Sequence, residues 1–175
     1  MGVAIDDIVT AQTQVDPAFW LRAANQAIRT ECGWHVAPII TEELVLDGTG
    51  GKTLLVPSLR IREVVSAKSD GHDVTDQVKF SRRAGVLTLA SGWACDVGSI
   101  ELTIEHGFAA DEIPNVAALI VTLTKRAATS SAFVQQSIGP ASAKVATGRD
   151  GAALGVPLLE TEKETLAPYR LNWGS

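Results

Sequence analysis

The chain predicts an α+β fold: a few helices packed with a small antiparallel β-sheet, and an extended C-terminal arm ending in a short helix. Three observations predict it. Two segments, about 16–32 and 114–130, carry helix signals. Between them, residues 35–106 break into short β runs punctuated by Gly and Asp, and beyond Ser130 the large apolar residues thin out. At 175 residues and 46% hydrophobic, the chain is long enough to bury one core. Residues 1–136 read as a single α+β domain and 137–175 as the arm.

The first helix opens at Asp16-Pro17, an N-cap residue followed by proline at the first helical position, and stops at Gly33 after Cys32. Trp20, Leu21, Ala24, Ile28 and Cys32 recur at spacings of three and four, which gives the helix a docking face. The β runs follow: Val36–Ile40, Leu44–Leu46, Thr53–Val56, Ile61–Ala67, Val78–Phe80, Val86–Leu89 and Ser99–His106. Asp47-Gly48, Asp70-Gly71, Ala84-Gly85 and Ser91-Gly92 are the turn signals between them. In the last run Ile100, Leu102, Ile104 and His106 alternate with Glu101, Thr103 and Glu105, so one face is buried and the other wet.

The second helix starts near Pro114, with Asp111 and Glu112 at its positive end and Lys125-Arg126 further along, as the macrodipole favours. Its segment Val116–Val121 is apolar on every side, which predicts a central helix surrounded by other elements. From Gln136 to Gly151 the Ser/Ala/Gly-rich sequence has too few large apolar residues to fold by itself. Thr161 and Glu164 then have capping-box spacing before Leu166 and Pro168. Tyr169, Arg170, Leu171 and Trp173 form an apolar, aromatic end suited to holding a partner.

Composition excludes several function classes. A formal net charge of -5 argues against a protein that grips phosphate backbones. The N-terminus has no basic segment before an apolar stretch, and Asp6 stands where a myristoylation site needs Ser or Thr. The most apolar uncharged run, Ile113–Thr124, falls well short of the roughly 20 residues of a membrane span. These features predict a soluble chain made in the cytoplasm. Cys32 and Cys95 read as two free thiols.

Asp47–Thr53, DGTGGKT, imitates a phosphate-binding loop, but Leu46 stands where the first glycine belongs. Leu54-Leu55-Val56-Pro57 is strand-like where a helix should begin. Lying between two β runs, the glycines predict a hairpin turn instead. For zinc, only Cys32-Gly-Trp-His35 has close ligand spacing, and Cys95, His72 and His106 complete no second pair. No Gly-x-Ser-x-Gly elbow supports a serine hydrolase, and Glu42-Glu43, Asp6-Asp7 and Asp111-Glu112 read as solvated charges. No catalytic residue, cofactor or metal is therefore expected. Of the four tryptophans, Trp20 and Trp34 read as core, while Trp93 in a turn and Trp173 in the tail remain open.

An ordered set of landmarks resembles the head-to-tail adaptor (connector) proteins of long-tailed bacteriophages, the actinobacteriophage type in particular. They are Ala23–Ile28 leading into Cys32-Gly-Trp-His-Val-Ala-Pro38, then Leu46-Asp-Gly-Thr-Gly50, Leu55-Val-Pro57, Gly92-Trp93 and Ile104-Glu-His-Gly107. Ile138-Gly-Pro-Ala-Ser142 and Leu166-Ala-Pro-Tyr-Arg170 close the set. Each is weak alone; order and spacing over about residues 16–171 carry the likeness.

The resemblance implies a structural virion protein without catalysis. Such proteins form a homo-oligomeric ring, usually of twelve copies, that docks under the portal protein at the head-tail interface and extends the DNA channel. They also give a stopper or tail-completion protein its attachment surface, while genomic DNA passes the lumen without specific binding. Two alternatives stand beside this one: a stopper or tail-completion protein, and a ligand-binding β module using Trp93.

Overall fold

The structure is a computed structural model that describes residues 16–132, 137–138, 141–142 and 157–172. The elements are α1 (Pro17–Cys32), β1 (Ile40–Leu46), β2 (Thr53–Leu55), β3 (Ile61–Ser69), β4 (His72–Asp73), β5 (Val78–Phe80), β6 (Val86–Leu89), β7 (Ile100–His106), α2 (Pro114–Ala132), the two-residue strands β8 (Ser137–Ile138) and β9 (Ala141–Ser142), and α3 (Glu160–Leu166). The fold is α+β, as expected, with two small antiparallel sheets in the β region where one was expected. The chain divides into two compact units. One takes the described residues through Glu31 and from Asn115 to Leu166; the other takes Cys32–Pro114 and 167–172.

In the helical unit, the Asp16 carboxylate accepts the Ala18 N–H at 2.9 Å and caps α1. Ala24 and Ile28 are buried, but Leu21 is 45% exposed. Trp20, Ala24 and Ile28 lie on one i, i+4 ridge and Leu21 sits one residue off it. Along α2, Val116, Leu119, Leu123 and Ala127 are buried at spacings of three and four, whereas Ala118 is exposed and Val121 is 50% exposed. The expectation of a helix surrounded on all sides is thus corrected: an apolar sequence does not bury every face when only one stripe meets the core.

The α3 cap also differs from expectation. Glu162, three residues after Leu159, accepts the Leu159 N–H at 2.8 Å, so the helix starts one residue before Thr161. Arg126 of α2 makes a fork to both Glu162 oxygens at 2.8 and 3.0 Å and donates to Pro157 O at 2.7 Å. Burial pushes the Glu162 carboxyl up, but Arg126 and the Leu159 N–H outweigh it and hold it below its usual range.

In the β unit, β1-β7-β3-β4 and β2-β6-β5 form the two sheets. Leu44, Leu102 and Ala67 align across the first, and Leu54 faces Leu87 across the second. Their inward side chains share one core of Leu54, Val56, Leu87, Leu89, Ile100 and Ile104, with Trp93 and others. Trp93 is 3% exposed, so it offers no open ring for a ligand to stack on. Asp70-Gly71, with φ of 52° and 74°, makes the two-residue turn joining β3 to β4.

The hairpin expected at Asp47–Thr53 is not formed, because β1 and β2 belong to different sheets. The glycines serve instead to let the connection press against 93–98. A Cβ on Gly48 would lie 2.0 Å from Ala94 O, and Gly48 and Gly50 donate to Asp96 O and Ala94 O at 2.9 and 3.0 Å. The strand expected from Val36 starts at Ile40; Val36 has φ 64° and Pro38 has no N–H to give a ladder.

Candidate partner-binding surface

The C-terminal residues named from sequence lie partly against their own β unit. Trp34 Nε1 donates to Tyr169 O at 2.7 Å, and the Leu171 N–H donates to Cys32 O at 2.9 Å. The Tyr169 ring meets Phe108 edge-on, with centroids 5.7 Å apart, and Phe108 lies 5.8 Å from Trp34. Tyr169 and Leu171 are half-buried, Arg170 is exposed, and Trp173 lies outside the described residues. Next to Phe108 the backbone makes a close approach: Gly107 has φ 106°, and a Cβ there would come within 2.5 Å of Pro38 O.

A carboxylate braces the same loop. Glu112 binds the guanidinium groups of Arg60 and Arg62 and accepts the Ala109 N–H at 2.8 Å, while Arg62 Nε donates to Gly107 O at 3.2 Å. The Ala109 N–H does most to lower the Glu112 carboxyl; burial pushes it up, and Arg60 and then Arg62 pull it down again, so it stays below its usual range. Arg60 also stands 5.7 Å from the Phe108 ring centroid.

His106 is completely buried beneath Trp34, with centroids 6.4 Å apart. Its Nε2 is 3.0 Å from Glu42 Oε2, close enough for an ion pair but out of hydrogen-bond alignment. Burial lowers its pKa below the ordinary 6.5 and nearby His35 adds to this, while Glu42 pulls upward. The β alternation placed His106 on the buried face; nothing in it signalled Glu42 as neighbour.

Among the described residues, no group of three or more His, Cys, Asp or Glu is arranged to hold a metal ion. Cys32 is buried and Cys95 exposed, both as thiols, and His72 is exposed on β4. An open groove of about 610 Å³ runs beside α1, where Ala23 and Ala27 face Pro157 and Leu158. None of the described helices is long and apolar enough to cross a membrane.

No protein-family model and no curated protein matches the chain. Its fold is similar to solved structures from particle necks. A chain in the neck of an empty GTA particle computed with C6 symmetry is 17% identical, covering 88% of this chain and 77% of that chain at a TM-score of 0.51. Another, in the neck of a native GTA particle computed with C12 symmetry, is 14% identical, covering 79% and 88% at a TM-score of 0.48.

Proposed function

We propose that this chain is a structural protein of the neck of a phage-like particle, and within the neck the adaptor that docks as a ring under the portal. In that role it extends the DNA channel and gives the stopper or tail its attachment surface. The observation that carries the reading is the fold shared over 88% of the chain with a protein of a GTA neck. It joins the ordered sequence landmarks, which resemble those of adaptors. An excess of acidic residues suits a channel wall that DNA passes without binding. Arg170, exposed beside the anchored Tyr169 and Leu171, is the described residue of this segment best placed to meet the portal.

The test is the native mass of the portal ring from the same genome, alone and after mixing with the purified chain. Loading of about twelve copies per portal is the expected result. If none load, while the chain is still found in particles on the tail side of the neck, it is a stopper or tail-completion protein instead.

A further inference from the structure

The two sheets of the β unit share their core, so their outward faces point away from each other. Those faces carry opposite charge. On the four-stranded sheet, Glu43, Glu63, Glu101, Glu105 and Asp73 face outward, and the two cations of its strands, Lys68 and Arg62, are already paired, with Glu101 at 3.1 Å and with Glu112. Glu63 and Glu105 stand directly opposite each other across β3 and β7. Like charges in that position destabilise a sheet, so the face is arranged against its own isolated stability. On the three-stranded sheet, Thr53, Thr88 and Lys79 form one outward row, with Lys52 beside it and Arg82 and Arg83 in the β5–β6 connection. These four cations are exposed and no carboxylate pairs with them among the described residues. Each face also bears exposed apolar side chains, Val45 and Val65 on the acidic one and Leu55 on the basic one.

We infer that these faces are the two halves of one contact between copies: the acidic face of the four-stranded sheet docks on the basic face of the three-stranded sheet of a second copy. The pairing is fixed by complementarity. Acidic against acidic or basic against basic repels, so an isologous dimer through either face is disfavoured and the contact runs head to tail. A head-to-tail contact generates a closed ring when its rotation closes. The inference rests on the ring reading proposed above and supplies its interface. Lysine and arginine from the neighbour would neutralise the opposed Glu63 and Glu105, and the valines and leucine would form the dry centre of the contact.

The experiment uses three variants of the full chain: Glu63→Lys with Glu105→Lys, Lys79→Glu with Arg82→Glu, and all four together. Self-association at high concentration is followed by sedimentation at low and high salt, with carbodiimide cross-linking to map carboxylate–lysine contacts. Wild type is expected to associate at low salt and to cross-link the acidic face to Lys52 or Lys79 of another copy. Each half-reversed variant should lose affinity on the order of a hundredfold; the two mixed together, and the fourfold variant alone, should regain it. Association unaffected by either reversal overturns the inference, as does a wild type that neither associates nor cross-links through these faces. Loading the same variants onto the portal ring separates the two claims. Half-reversed variants that load at the wild-type copy number sink the interface and leave the neck role standing, whereas a wild type that does not load sinks the neck role.

Discussion

Replacing Trp34 with phenylalanine removes one donor and part of one ring from the place where the C-terminal segment is seated. Trp34 is 5% exposed and its Nε1–H reaches Tyr169 O at 2.7 Å. A neutral hydrogen bond of this kind contributes about 1 kcal/mol net, and trimming the indole to a phenyl ring in a buried site adds about 1 kcal/mol more. The sum, about 2 kcal/mol, is roughly a 30-fold rise in the population of the detached segment. Hydrogen exchange at the Leu171 amide is the direct readout, since that N–H is bound to Cys32 O only while the segment is seated. Tyr169→Ala is the comparison: it keeps the carbonyl acceptor and loses the edge-on contact with Phe108. Unchanged Leu171 exchange in the Trp34→Phe protein would refute the claim that this bond seats the segment.

Other predictions follow from the same packing. Because burial holds the His106 pKa below 6.5, the unfolded chain binds the proton more readily. Stability present above pH 6.5 is then lost as pH falls toward the folded value. Thermal melts between about pH 7 and pH 5 should show this, His106→Gln should flatten the dependence, and Glu42→Gln should steepen it; a flat wild-type profile would contradict it. Glu112 and Glu162, both lowered from 4.5, contribute stability that is lost only below that range. Gly107→Ala forces a Cβ against Pro38 O at a positive φ and should cost about 2–3 kcal/mol in denaturant unfolding. On α2, Leu123→Ala should cost about 2–5 kcal/mol and Val121→Ala at most about 0.5 kcal/mol; equal losses would mean that the helix buries both faces.

The parts of the fold legible from sequence were those fixed by neighbours along the chain. Asp16-Pro17 marked the start of α1, Asp70-Gly71 marked a real two-residue turn, and Val78–Phe80 and Val86–Leu89 are strands within the same limits. What failed depended on distant partners. Asp47–Thr53 looked like a hairpin because strands flank it, yet β1 pairs with β7, some sixty residues away. Trp93, in a turn, was left open by the sequence, and it is buried in the core that the two sheets share. The candidate surface was legible only as an aromatic C-terminus. That Tyr169 meets Trp34, 135 residues earlier, is a tertiary fact with no local trace, and so is the opposite charge of the two sheet faces.

The clasp between Trp34 and Tyr169 orders events during synthesis. Residues 167–172 leave the ribosome after the Trp34, Cys32 and Phe108 they touch, and the second part of the helical unit, from Asn115 to Leu166, is made in between. Until they emerge, Phe108 lacks its Tyr169 neighbour and the Trp34 N–H lacks its acceptor. Completion of the β unit thus waits until residues 167–172 have emerged, and a nascent chain stalled before residue 167 lacks the finished seat.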